Sequence, residues 1–350
     1  MRSIPKAAMS QRLLLTWRPQ AQCDGVALEA AAFRQPSVGM IWGAMTSLKP
    51  VEYRFDIGGD GRTVGIRRDG GDYVPFTDDI GPALSASRFA AGAPRTGCTV
   101  RFVPQQAPLA SAALDDLAAY SLAPTAGALP REAWDRIYAA GTCLRAPRAR
   151  PLTQVYPDFD KIEGTPGARD WSMVGYDTDA AGRPTNVRIV YGTHDAALDA
   201  AAVKALRESR YSGGARAGCL YPYWHAPEKL VAPPIPDEAG FRSAQATCPE
   251  KRDWVTPPVL RFPEPYRRRS IEGWAVVAYD IAPWGEIGNV RVLAAEPSDD
   301  FGKQAIQVMR SAKVAPAGTG AVGCTDRVKF VMGPVGGMQS DEVEAPPRPF

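Results

Sequence analysis

The residues whose type and spacing could do chemistry are Cys23, Cys98, Cys143, Cys219, Cys248 and Cys324, and that chemistry is thiol oxidation. Cys23 and Cys98 are 75 residues apart, Cys143 and Cys219 are 76 apart, and so are Cys248 and Cys324, while the gaps between these pairs are unequal. A separation that is constant within a unit and loose between units marks an internal repeat. Six cysteines allow 15 pairings; the repeat selects Cys23–Cys98, Cys143–Cys219 and Cys248–Cys324. The alternative is six reduced thiols packed as small hydrophobes, which gives no reason for matched pairs. Zinc fits poorly, because no Cys-x-x-Cys occurs and His194 and His225 lack ligand spacing. No metal or other cofactor is expected.

Other reactive groups are scarce. An enzyme needs a converging nucleophile, base or metal, and the chain has 2 histidines. His194-Asp195 stands just before a helical pattern, where Asp capping is the ordinary reading. His225 follows Trp224 at a strand end. Asp177, Asp179, Asp280 and Glu286 flank turns, where acidic residues commonly serve the turn. Gly213-Gly214 has no phosphate-loop pattern. The basic run Arg267-Arg268-Arg269 reads as a solvated face. Trp171 and Trp274 recur at matching places and read as core. An enzyme is therefore not expected.

Three similar units must position the cysteines. The second carries Trp171 to Asp177, Gly182 and Asn186 to Val190; the third carries Trp274 to Asp280, Gly285 and Asn289 to Leu293. The first has a tighter version, Val51 to Asp56, Gly61 and Thr63 to Arg67. Each alternates as a hairpin whose glycine supplies a positive φ. A helix follows at Asp78–Ser87, Ala196–Ser209 and Asp300–Ser311, with Asp195 and Ser298 as N-caps. Then come the second cysteine and a last strand, Thr99–Val103, Leu220–Trp224 or Asp326–Met332. Strand, strand, helix, strand is an α+β arrangement: three tandem two-layer domains, each with one helix on an antiparallel sheet of about three strands.

The expected boundaries are 1–107, a helix (Leu109–Tyr120) and linker over 108–130, a domain at 131–226, a Pro-rich linker at 227–237, a domain at 238–333 and a disordered Pro-rich tail at 334–350. Short helices at Glu132–Ala139 and Glu238–Ala246 lead into Cys143 and Cys248. A net charge of +3 on 350 residues gives no case for nucleic acid or an anionic membrane. No apolar run nears the roughly 20 residues needed to span a bilayer, and Leu13-Leu14-Leu15 is too short for a signal-peptide core.

The ordered phrases resemble the C-terminal domain of the TonB family. Tyr156-Pro157 is similar to its Tyr-Pro lead-in. Val174 to Asp177, Gly182, Val187 and Ile189 are similar to its hairpin. Ala197–Ala202, Leu206 and Ser209-Arg210-Tyr211 are similar to its helix and the phrase after it. The third unit matches with Phe262-Pro263, Gly285, Val290 and Val292, and the first unit is a degenerate copy. The family's transducers carry a transmembrane helix and a long Pro-rich spacer, neither visible here, so the likeness implies the fold and not force transmission by this chain alone.

The resemblance implies a non-enzymatic periplasmic binding or adaptor protein linked to TonB-dependent outer-membrane transport. Its partners would be envelope proteins or peptides, outer-membrane receptors among them. Recognition would be β-strand addition at the last strand, which maps to Val328, Phe330 and Met332. The alternative is a structural subunit of a larger cell-envelope assembly. Disulfides call for an oxidising compartment although no signal sequence is visible; a removed signal or a misassigned start is the expectation.

Overall fold

The structure, a computed structural model, describes residues 11–43, 48–139, 141–146, 148–249 and 251–333. The expected tail at 334–350 lies outside them. The first unit contains β1 (Arg12–Cys23), β2 (Val26–Ala27), β3 (Gly39–Trp42), β4 (Val51–Ile57), β5 (Thr63–Asp69), α1 (Ile80–Ala86) and β6 (Arg95–Pro108). Two helices follow, α2 (Leu114–Leu122) and α3 (Arg131–Ile137). The second unit has β7 (Pro151–Thr153), β8 (Asp170–Thr178), β9 (Pro184–Gly192), α4 (Ala196–Glu208), β10 (Arg210–Tyr211) and β11 (Arg216–His225). The third has β12 (Trp254–Thr256), α5 (Glu264–Arg268), β13 (Gly273–Ile281), β14 (Ile287–Glu296), α6 (Asp299–Arg310), β15 (Lys313–Val314) and β16 (Ala321–Phe330).

The fold is α+β, built of several small antiparallel sheets and few helices. The second and third units each have a three-stranded sheet, ordered β11-β8-β9 and β14-β13-β16. Alternation explains them: Ser172, Val174 and Tyr176 face α4, where Ser172 Oγ reaches Asp199 Oδ1 (2.5 Å), and Ala275, Val277 and Tyr279 line the core under α6. Both N-caps form: Asp195 accepts from Leu198 N–H (2.7 Å) and Ser298 from Asp300 N–H (3.3 Å), satisfying donors that the first helical turn leaves orphaned.

The first unit departs from the expected sheet of about three strands. Its β5-β4-β6 core is widened to six by β1, β2 and β3. The run Leu13-Leu14-Leu15 is the reason. In β1, Leu13, Leu15 and Trp17 enter the core shared with Tyr53 and Phe102, while Leu14 turns to the opposite face and packs with Leu117, Tyr120 and Trp134 from α2 and α3. Period-two alternation with both faces apolar requires cover on both faces.

The connecting segments are packed. The helix expected from Leu109 begins at Leu114, and within the expected linker Ser121–Pro130, Leu122 and Leu129 are buried and the Leu122 carbonyl accepts from Arg169 (2.9 Å). In Pro227–Pro236, Leu230 is buried and bonds Ser270 and Glu272 through its main chain, and Trp274 Nε1–H donates to the Pro233 carbonyl (2.8 Å). The expected helix at Glu238–Ala246 is a 3-10 turn over Glu238–Phe241.

The first and third units dock directly. Arg269 was expected on a solvated face. Instead it forms a bidentate pair with Asp79, Nε to Oδ1 and Nη2 to Oδ2, both 2.6 Å, at 12% and 20% side-chain exposure. Burial pushes the Asp79 carboxyl up, but the Arg269 guanidinium and Ser37 more than offset it and hold the group below the usual carboxylate range. The two units also meet where Ile66 N–H donates to the Pro297 carbonyl (2.9 Å) and Gly65 N–H to Glu296 Oε2 (2.7 Å), so the outer edge of β5 is occupied there.

Candidate functional site

One local constellation recurs in all three units and sets the last strand. Gly97, Gly218 and Gly323 each precede the second cysteine and each takes a left-handed φ of 69°, 65° and 68°. Each lies where pairing with the central strand shifts register, a bulge that glycine accommodates. A bulge orphans an amide, and an aspartate takes it: Gly97 N–H donates to Asp56 Oδ1 (2.8 Å), Gly218 N–H to Asp177 Oδ1 (2.8 Å) and Gly323 N–H to Asp280 Oδ1 (2.9 Å). Asn186 and Asn289 donate to the other oxygen of Asp177 (2.7 Å) and Asp280 (2.8 Å). These asparagine bonds, then the glycine amides, hold both carboxyls below their ordinary range. The first unit has Gly65 where the others have asparagine.

Immediately after the glycine, each cysteine is buried and bonded: Cys23–Cys98, Cys143–Cys219 and Cys248–Cys324, with Cα separations of 4.2, 5.2 and 5.0 Å. These bonds fit an oxidising compartment. Neither the Gly-Cys bulge nor its aspartate was foreseen, although Gly-Cys three times over and Asp56, Asp177 and Asp280 at matched places were visible signals.

β6, β11 and β16 occupy the same place beside the central strand, but their outer edges differ. β6 is paired by β1 from Thr99 to its end, antiparallel from Gln22↔Thr99 to Leu13↔Pro108. β11 is a sheet edge blunted by the chain itself. Thr142 N–H donates to the Ala217 carbonyl (2.7 Å), Ala217 N–H to Thr142 Oγ1 (2.9 Å) and the Tyr138 hydroxyl to the Leu220 carbonyl (3.3 Å). Two residues on, Pro222 removes the next outward N–H.

β16 starts in the same way. Thr247 N–H donates to the Val322 carbonyl (3.0 Å), Val322 N–H to Thr247 Oγ1 (3.0 Å) and Arg252 Nη2 to the Thr325 carbonyl (3.0 Å). Arg252 also pairs with Asp326 (2.9 Å), which accepts from the Tyr279 hydroxyl (2.7 Å). Burial, then Asp326, pushes that phenol above its ordinary range. Between Thr325 and the end of β16 at Phe330 there is no proline, and among the described residues no strand pairs with β16 on the side away from β13.

Of the residues expected to form the peptide edge, Val328 and Phe330 point their side chains into the core against Phe301 and Tyr279, and Met332 lies past the strand, its N–H on Glu272 Oε1 (2.9 Å). Alternate residues of a strand turn their main-chain groups to opposite sides. Since the Thr325 carbonyl faces Arg252, away from β13, the outward groups downstream belong to Arg327 and Lys329. The structure thus brings Val328 and Phe330, but not Met332, onto one edge strand, in core positions one residue out of step with the groups that edge presents.

Other expected groups do not converge. His194 sits in a loop with a φ of 61°. His225 ends β11 with Nδ1 2.8 Å from the Ala226 carbonyl oxygen. Among the described residues no group of three or more His, Cys, Asp or Glu is arranged to hold a metal, and no helix is long and apolar enough to cross a membrane.

Residues 258–332 match the family described as Gram-negative bacterial TonB protein C-terminal. Among solved structures the chain is similar to a solution NMR structure of the TonB C-terminal domain of Pseudomonas aeruginosa, with 25% identity, covering 25% of this chain and 96% of that one, at a TM-score of 0.22. The comparison with curated proteins finds no match.

Proposed function

From the premise that residues 258–332 are a TonB C-terminal domain, we propose that the chain is a non-enzymatic periplasmic binding or adaptor protein that takes extended peptide segments on the outer edge of β16. The observation that supports this reading is the contrast on one strand: up to Thr325 the edge is capped by the chain's own Thr247 and Arg252, and from Asp326 to Phe330 no strand among the described residues pairs with it on the side away from β13. An extended segment laid there would add main-chain hydrogen bonds, each contributing about 0.5–1.5 kcal/mol net. The partners are envelope polypeptides, with the N-terminal segments of outer-membrane receptors foremost. The three units act as tandem domains over 1–107, 131–226 and 238–333.

Peptides copying receptor N-terminal segments, titrated into the full chain by calorimetry, test this. Binding is expected, to be lost in Lys329→Pro, which removes one outward N–H from an edge strand, and kept in Lys329→Ala. Absence of binding by every such peptide would overturn the reading.

The alternative, a structural subunit of a larger envelope assembly, draws on the Asp79–Arg269 dock, which joins distant units. It predicts co-purification in a stable stoichiometric complex that survives Lys329→Pro.

A further inference from the structure

One cross-strand position changes its charge from unit to unit. Gly61, Gly182 and Gly285 crowd the carbonyls of Phe89, Tyr211 and Val314. Arg62, Arg183 and Glu286, the residues after those glycines, therefore correspond to one another, and so do Arg88, Arg210 and Lys313 before those carbonyls. In the third unit Glu286 bridges Lys313, of opposite charge, whereas in the first Arg62 bridges Arg88. Like charges directly opposite destabilise a strand pair. The second unit leaves Arg183 and Arg210 exposed to water, but in the first Arg62 and Arg88 are half-buried, and so is Arg34 beside them, whose amide donates to Ser87 Oγ (3.0 Å). We infer that Arg34, Arg62 and Arg88 form an anion site, and that the group it takes is a phosphate monoester.

The partners these arginines have within the chain are neutral. Arg88 Nη1 donates to the Ser85 and Ser87 carbonyls (3.3 and 2.8 Å). Arg210 Nη1 caps its helix in the same way in the second unit, so this contact is structural and uses one nitrogen. Arg62 Nη2 donates to the Val231 carbonyl (2.5 Å), and its Nε is buried without a hydrogen-bond partner. The Arg34 guanidinium has no hydrogen bond or ion pair among the described residues. One carboxylate acts on Arg88, that of Asp60, which is exposed and accepts from the Arg62 main-chain N–H (3.0 Å). Burial, then Arg62, pushes the Arg88 guanidinium down to about 10, as expected of cations that lack a counterion. Three cations against one carboxylate leave two positive charges. A phosphate monoester brings about −1.5 to −2 at neutral pH and three acceptor oxygens, which suit guanidinium forks arriving from three separate segments; a carboxylate brings one charge and two oxygens. The site belongs to the first unit and stands whether or not β16 takes a peptide.

The test titrates glucose 1-phosphate and acetate into the oxidised full chain by calorimetry at low salt, where screening is least. One phosphate monoester bound per chain is expected, tighter than acetate, with affinity lowered about tenfold or more in Arg34→Gln and in Arg62→Gln and unchanged in Arg210→Gln, at the second-unit counterpart of Arg88. Arg34→Gln removes repulsion and no hydrogen bond, so without ligand it should melt no lower than the parent chain, which separates lost binding from lost folding. Vesicles of phosphatidylcholine, with and without phosphatidic acid, distinguish the sources of the phosphate. Binding to the phosphatidic acid vesicles that Arg34→Gln abolishes, without binding of glucose 1-phosphate, supports the site with a lipid headgroup as its ligand; the converse supports it with a soluble ester. Binding of neither, binding indifferent to both arginine substitutions, or acetate bound as tightly as the ester overturns the inference.

Discussion

The last strands of the first and third units begin alike and then part. In both, a left-handed glycine bulges the strand, an aspartate takes the freed amide, and a buried cysteine follows. Past the cysteine, β6 is covered by β1 along its whole length, whereas β16 is capped only as far as Thr325. The difference lies in the route to the first cysteine. In the first unit the chain reaches Cys23 by running antiparallel down the edge, so the disulfide pins a strand already in place. In the third it reaches Cys248 past Val322, near the start of β16, and no strand among the described residues covers the downstream edge. The same bond to equivalent last strands thus accompanies a paired outer edge in one unit and, among the described residues, an edge with no added strand in the other.

Removing the bonds should sharpen that comparison most. Each closes a loop of 75 or 76 residues, for which the chain-entropy model gives about 4 kcal/mol. Cys23→Ser with Cys98→Ser and Cys248→Ser with Cys324→Ser should cost similar stability in denaturant melts. Only the first pair should speed hydrogen exchange at Gln22 and Ala21, where β1 loses its pin.

Breaking the dock between the two units comes next. Arg269→Met leaves Asp79 mostly buried without its cation, a loss of about 3 kcal/mol in urea unfolding at neutral pH. The Asp79 carboxyl lies below its unfolded value near 3.9. Its contribution is therefore fully present above that value and fades as pH falls through the folded value. Asp79→Asn should flatten the acid limb of the stability profile; an unchanged limb would count against the pair.

Glycine substitutions ask whether the shared constellation is energetically shared. Gly61, Gly182 and Gly285 all have positive φ, and a Cβ on any of them would overlap the carbonyl oxygen of Phe89, Tyr211 or Val314. Alanine should cost about 2 kcal/mol or more at each, read from thermal melts; sharply unequal costs would break the equivalence of the units. The smallest effect separates Asp280 from Asp56. Asp280 holds both Gly323 and Asn289, while Asp56 holds Gly97 with a glycine in the asparagine position. Asp280→Asn should cost about 1 kcal/mol and Asp56→Asn less, by the same melts.

Particular residues show what could be read in advance. The hairpins around Gly61, Gly182 and Gly285, the caps Asp195 and Ser298 and the cysteine pairing are local or periodic signals, and each stood in the chain. β1 was missed as a strand because Leu13-Leu14-Leu15 does not alternate: both its faces are covered, one by the sheet's own core and one by α2 and α3, and a run apolar on both faces has no period. Arg269 was misplaced because its partner stands 190 residues away and local charge patterning carries no such distance. At the candidate site, β16 itself was legible, but the parity of its outward groups was not, since it depends on the bulge at Gly323.

By itself, then, the amino-acid sequence determined the α+β class and the disulfide pairs, because periodicity, capping and matched spacing act over short range or recur along the chain. The tertiary structure decided which last strand is flanked by a second strand. Whether a last strand gains a partner on its outer side depends on the path of residues far away in sequence, as β1 does beside β6, and only packing fixes that path.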